Sequence, residues 1–110
     1  MSDLDVVVVG FHSRDLVIRC LDSVPDAAAG LSCTITVVDN GSGDGTVAAV
    51  EAWAADRPWL EVTATDLGAN TGFAHAANAG MARGHAAYVA LLNPDTVADP
   101  GSLTRLVEAL

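Results

Sequence analysis

Four short segments of this chain hold most of the side chains that could do chemistry on a small ligand. Asn93-Pro94-Asp95 follows an apolar run, so a single carboxylate emerges where the chain turns. One such carboxylate suits Mg2+ or Mn2+, hard cations that take one or two protein oxygens and complete their shell with phosphate oxygens and water. Asp39-Asn40 follows Val37-Val38 in the same way, and Asp39 can there accept hydrogen bonds from a base or ribose. Asn70-Thr71-Gly72-Phe73 opens a small-residue helix whose free N–H groups and positive dipole end suit a phosphate, and Asn78, two turns in, can point back to the same place. Phe11-His12 offers two rings to a base. Each segment taken alone also has a plainer use, as a turn, a helix cap or a structural histidine.

Several other chemistries lack their pattern. Gly41, Gly43 and Gly45 are not spaced as G-x-G-x-x-G, and the acidic spacing and closing Glu of an EF-hand are absent. His75 and His85 have no metal-pair spacing with His12, and no Ser/His/Asp or Cys/His set is identifiable. Cys20 and Cys33 have no second ligand nearby in sequence and read as buried free thiols.

Charge narrows the partners further. The 110 residues carry a net charge of −9, with five arginines and no lysine. A surface that tracks nucleic-acid phosphates needs clustered cations, so nucleic acid is excluded as a partner. An anionic small ligand would be repelled as well, unless a bound cation, arginines or helix N-termini offset Asp39, Asp44, Asp66, Asp95 and Asp99. No apolar run approaches the roughly 20 residues that span a bilayer. The N-terminal stretch Met1-Ser2-Asp3-Leu4-Asp5 is acidic where a secretory signal is basic. A cytoplasmic chain is expected, with room for peripheral contact at the inner face of a membrane.

The elements that must position these segments alternate. Val6 to Val9 is an unbroken β-branched run ending at Gly10, the pattern of a strand covered on both faces. Ser13 can cap a helix bearing Leu16, Val17, Cys20, Leu21 and Val24, which Pro25 is expected to stop. Thr34 to Val38 is a second strand, followed by a helix with Val47, Val50, Trp53 and Ala54 on one face. Leu60 to Thr65 alternates apolar and polar residues, as a strand at a sheet edge does. A helix with Phe73, Ala76, Ala77, Gly80 and Met81 on one stripe follows, its small residues allowing close packing. Ala87 to Leu92 is a fourth strand, and Asp99-Pro100 reads as the cap and first turn of a last helix bearing Leu103, Leu106, Val107 and Leu110.

Such alternation means right-handed βαβ units and an α/β fold: a Rossmann-like, three-layer parallel sheet in the order 3-2-1-4 with helices on both faces. Ligands bind such sheets outside the carboxyl ends of the strands, where all the Gly-, Asn- and Asp-rich segments fall. The fourth strand is apolar on both faces yet lies at an edge in that order, which predicts missing neighbours. Either further strands cover it or the chain self-associates there, as a homo-oligomer.

Taken together, Val6–Val9, Val37-Val38-Asp39-Asn40-Gly41-Ser42, Asn70-Thr71-Gly72-Phe73-Ala74 with Asn78 and Gly80, and Leu91-Leu92-Asn93-Pro94-Asp95-Thr96 resemble family 2 glycosyltransferases of the GT-A fold. The likeness is to the rhamnosyltransferase-type branch, in which N-P-D replaces D-x-D. It implies that residues 1–110 form a single domain, the N-terminal, donor-binding part of a GT-A fold cut off at its C-terminus. It further implies that Asp39 contacts the base, that the Asn70 loop with Gly72 and Asn78 helps hold the nucleotide, that Asn93 serves ribose and diphosphate, and that Asp95 is the metal carboxylate. The implied reaction moves a sugar from a UDP- or dTDP-linked donor to an acceptor hydroxyl with inversion and metal assistance. Many members carry Tyr or Trp and then Asn where this chain has Phe11-His12. The general base has no counterpart here, so the chain alone is expected not to transfer sugar. Two other readings remain open. A nucleotidyltransferase would want a Gly-rich, basic loop after the first strand, where Gly10-Phe11-His12-Ser13-Arg14 offers one Gly and one Arg. A module kept only for interaction is the other.

Overall fold

The valine run makes the centre of the sheet. In the computed structural model, which describes residues 3–110, every residue of β1 (Leu4–Gly10) is buried. The first two residues of the acidic N-terminal stretch, Met1 and Ser2, lie outside the described residues. Parallel strands flank β1 on both sides: β2 (Cys33–Asp39) pairs Gly10 with Asp39, and β4 (Tyr88–Leu92) pairs Val8 with Leu92. Beyond β2 lies β3 (Glu61–Asp66), which sets Asp39 opposite Asp66. The order is β3-β2-β1-β4, as the alternation predicts.

Side-chain alternation along the strands builds a core on each face. Leu4, Val6 and Val8 with Ile35 and Val37 pack under α1 (Arg14–Ala27), α2 (Thr46–Ala55) and α4 (Ser102–Ala109), with Val17, Leu21, Val24, Val50, Trp53 and Leu103. The opposite face is thinner. There Val9 and Val38 meet Ala76 and Ala77 of α3 (Phe73–Met81). A Cβ built on Gly80 would lie 2.7 Å from Val7 Cγ1 and 3.1 Å from Val38 Cγ2, so only glycine lets α3 sit this close to the sheet.

Helix ends depart from the sequence reading in three places. Pro25 does not stop α1, which runs on to Ala27. Proline removes one N–H, but the carbonyls at this end find donors far along the chain: Gly101 N–H reaches Asp26 O at 2.9 Å and Thr104 Oγ1 reaches Ala29 O at 2.8 Å. The second departure is at Asp99-Pro100, which form a turn closed by Ser102 N–H on Asp99 O; Gly101, at φ 74°, is the N-cap of α4. Thirdly, Ser13 holds the N-cap position of α1 but its hydroxyl donates to Phe11 O, and Asp44 Oδ2 accepts the Arg14 N–H instead.

β4 has an open outer edge. Tyr88, Ala90 and Leu92 are half-buried against the larger core, whereas Val89 and Leu91 on the α3 side stand 45% and 39% exposed. An apolar groove of about 350 Å³ runs between β4 and α4, past Leu103, Leu106 and Leu110. Among the described residues no helix is long and apolar enough to cross a membrane.

Candidate functional site

Parallel strands in register deliver their exits to one end of the sheet, and hydrogen bonds lock those exits together. Asn40 N–H donates to Gly10 O at 2.8 Å, and Leu67 N–H donates to Asp39 O at 2.9 Å. The Asn40 side chain, itself buried, accepts the Thr71 N–H at 2.9 Å and donates through Nδ2 to Asn70 Oδ1 at 3.0 Å. Gly41 fits because it has no Cβ: one would lie 2.6 Å from the Ala69 backbone, and the residue holds φ 78°.

Around these bonds lies a hollow of about 330 Å³ lined from all four exits. Phe11 and Ser13 come from the first exit, Asn40 from the second, Asn70 and Phe73 from the third, Asn93 and Pro94 from the fourth. Phe11 and Phe73 are 41% and 52% exposed, so two aromatic rings remain available to a ligand. A second hollow, of about 500 Å³, adjoins through Ser13 and is lined by His12, Arg14 and Asp44. A third, of about 240 Å³, sits at the amino-terminal ends of the strands around Asp5, Thr34, Glu61, Arg83 and His85. Binding in parallel sheets occurs at the carboxyl ends, which favours the hollow of the four exits.

Of the residues singled out by sequence, Phe11, Asn70 and Asn93 line that hollow together. His12 faces the adjoining one and holds φ 52°, with its ring 4.1 Å from that of Phe11. Asp39 is only 2% exposed and lies beneath the rim; Ser42 Oγ donates to its Oδ1 at 2.5 Å. Gly72, rather than Asn70, is the N-cap of α3, and its N–H donates to Asn70 Oδ1 at 3.1 Å. Asn70 therefore spends its side-chain oxygen bracing the loop. Asn78 lies on the exposed face of α3 and lines none of these hollows. Asp95 is exposed just past Pro94.

Two participants were missed at the level of sequence. Phe73 read as a core residue on the helical stripe, yet as the first residue of α3 it projects from the packed face into the hollow. Asp44 ties two exits together: its Oδ1 accepts the Thr46 hydroxyl at 2.5 Å and the Ser42 hydroxyl at 2.8 Å, while Arg14 Nη1 donates to its carbonyl at 3.1 Å. The Thr46 hydroxyl, then that of Ser42, hold its carboxyl down at about 2. Burial first, and the nearby Asp95 charge second, push the Cys20 thiol up to about 11. Cys33 rises to about 11 through burial and then Asp5, so both thiols are protonated and inert at neutral pH.

Among the described residues no three His, Cys, Asp or Glu side chains cluster as a metal cage. A lone exposed Asp95 fits a cation that takes its other ligands from phosphate and water.

A sequence profile of glycosyl transferase family 2 matches residues 5–110. The chain belongs to this family. The succinoglycan biosynthesis protein ExoO of Rhizobium meliloti (strain 1021) is 33% identical to this family 2 chain over 108 residues, covering 98% of the chain and 30% of ExoO. The mannosyltransferase PcManGT from Pyrobaculum calidifontis, solved with GDP-Man and Mn2+, superposes with a TM-score of 0.85 at 26% identity. That match covers 98% of this chain and 31% of the mannosyltransferase. S. aureus TarS 1-349, solved with UDP, shares the fold at 20% identity and a TM-score of 0.75, over 96% of this chain and 31% of TarS. This family 2 chain thus spans about a third of the length of the relatives it matches.

Proposed function

We propose that this chain is the donor-binding part of an inverting glycosyltransferase that draws its sugar from a nucleoside diphosphate. The observation that carries this reading is the hollow shared by all four strand exits, with Phe11 and Phe73 as exposed rings, asparagine amides at 40, 70 and 93, and Asp95 beside it. Aromatic faces suit a planar base. The first turn of α3 has no side-chain cap, so its N–H groups are free for a diphosphate. Asp39 supplies an acceptor for a base N–H, and Asn93 an amide for ribose or diphosphate. Asp95 would hold Mg2+ or Mn2+, which when bound stabilises the charge that develops on the departing diphosphate.

Support comes also from PcManGT, solved with GDP-Man and Mn2+, and TarS, solved with UDP. The resemblance favours UDP or dTDP as the carrier, and the ExoO match favours a role in polysaccharide assembly on the cytoplasmic side. No side chain lining the hollow can serve as base for an acceptor hydroxyl, since Phe, Ser and Asn are its polar and aromatic members. We therefore assign donor binding, and not turnover, to residues 1–110.

Calorimetric titration with UDP, dTDP and GDP, each with and without Mn2+, tests the reading. UDP or dTDP should bind more tightly with Mn2+, and Asp95→Ala should remove that metal dependence while leaving weak metal-free binding. A chain that binds none of the three nucleotides overturns the proposal and leaves the interaction module, which the open β4 edge favours.

A further inference from the structure

The carboxylate of Asp39 is nearly sealed, at 2% exposure, and among the described residues its side chain has one protein partner, the hydroxyl of Ser42 on Oδ1 at 2.5 Å. No buried side-chain oxygen lacks a partner, so Oδ2 keeps its opening to the outside. Ser42 Oγ is also 2.8 Å from Asp44 Oδ1. Asp44 in turn is fastened from both sides, by Thr46 in its own loop and by the Arg14 N–H at the start of α1. One hydroxyl thus stands between a mobile type of carboxylate and an anchored one.

We propose that Ser42 is a positioning residue that fixes the rotamer of Asp39, holding Oδ1 so that Oδ2 alone is offered to a donor group of the ligand. A carboxylate with both oxygens unheld samples a broad torsion about its last bond. Buried beneath the rim, it would present its lone pairs in many directions. Holding Oδ1 removes that freedom before the ligand arrives, so the cost of ordering is already met when a base N–H meets Oδ2. The anchor is independent of the ligand, because Asp44 Oδ1 is supplied by the Thr46 hydroxyl and N–H whether or not Ser42 donates to it. Ser42 is therefore free to give its single proton to Asp39, the shorter of its two contacts.

This inference rests on the nucleotide reading for its consequence but not for its geometry, and two measurements separate them. NMR side-chain couplings of Asp39, in the ligand-free chain, should report one χ1 rotamer in the wild type and in Ser42→Thr, and averaged rotamers in Ser42→Ala. An unchanged single rotamer in Ser42→Ala overturns the proposal, whatever the chain binds. In titrations with UDP or dTDP, Ser42→Ala should weaken binding roughly tenfold or more, as expected for a bond to a charged group, with Ser42→Thr restoring it. Adding Ser42→Ala to Asp39→Ala should then cost nothing further, since Ser42 acts only through Asp39; a further loss overturns the proposal. A wild type that binds no nucleotide defeats the functional reading alone, and the couplings still decide the role of Ser42.

Discussion

Asn40 and Asn70, thirty positions apart, join amide to amide at 3.0 Å and so bind the exit of β2 to the exit of β3. The bond makes one wall of the hollow from two loops. Asn40 also accepts the N–H and the hydroxyl of Thr71, at 2.9 and 3.2 Å. Asn40→Ala strands those donors under a buried site, at a cost of about 1–3 kcal/mol. Amide exchange at Thr71 and Gly72 should accelerate in this variant and nucleotide binding should weaken, whereas Asn70→Ala, at an exposed position, should lose binding with less loss of stability. Unchanged exchange at Thr71 would show that the loop holds itself.

Gly80 tests the contact between α3 and the sheet. Alanine is the better helix former by about 1 kcal/mol, but its methyl would sit 2.7 Å from Val7 Cγ1, inside a fully buried side chain. Overpacking of this kind costs about 1–3 kcal/mol and outweighs the helical gain. Gly80→Ala should lower the melting temperature by about 5 °C or more for a domain of this size. A rise in melting temperature would mean that α3 can lift from the sheet at no cost.

Much of this frame was legible in sequence because its signals are local. A β-branched run bounded by glycine, as at Val6–Val9, marks a buried parallel strand, and Asp39-Asn40, Asn70 and Asn93 follow such runs directly. What sequence hid depends on partners far along the chain. Pro25 fails to end α1 because Gly101 and Thr104 serve its last carbonyls, and Ser13 yields its capping role to Asp44. The helical stripe likewise set Phe73 with the core, where its place at the first turn of α3 leaves it half exposed.

The fastening at Asp44 has a pH signature. Its carboxyl is held at about 2 against the ordinary 3.8, so the folded state favours the ionised form. The stability this supplies is complete above the ordinary value and is lost as pH falls from near 4 towards 2. Denaturant midpoints of Asp44→Asn should therefore converge on those of the wild type at the acid end of that window and fall below them at pH 6. Parallel curves across the window would remove Asp44 as their cause.

His12 holds φ 52°, a left-handed conformation that costs a residue with a Cβ about 1–2 kcal/mol and that asparagine visits more readily. Replacing it also loses a tilted ring contact with Phe11, worth about 0.5–1.5 kcal/mol. The backbone term is the larger by a small margin. His12→Asn should raise the melting temperature by a few degrees, and a fall would mean that the ring pair outweighs the strain.

The open edge of β4 sets two forces against each other. Tyr88-Val89-Ala90-Leu91-Leu92 carries no charge, no proline and no bulge, the devices by which edge strands ordinarily resist pairing, and the groove beside it is apolar. Against association stands the net charge of −9, which makes any two copies repel. Repulsion of this kind is screened beyond about 8 Å at 0.15 M salt, whereas edge pairing and apolar burial act at contact and are not. Light scattering should therefore find the chain self-associating, and more so as salt is raised. Leu91→Lys, which places a charge on the exposed face of β4, should shift it toward monomer. A wild type that stays a monodisperse monomer at all salt concentrations would show that this edge protects itself.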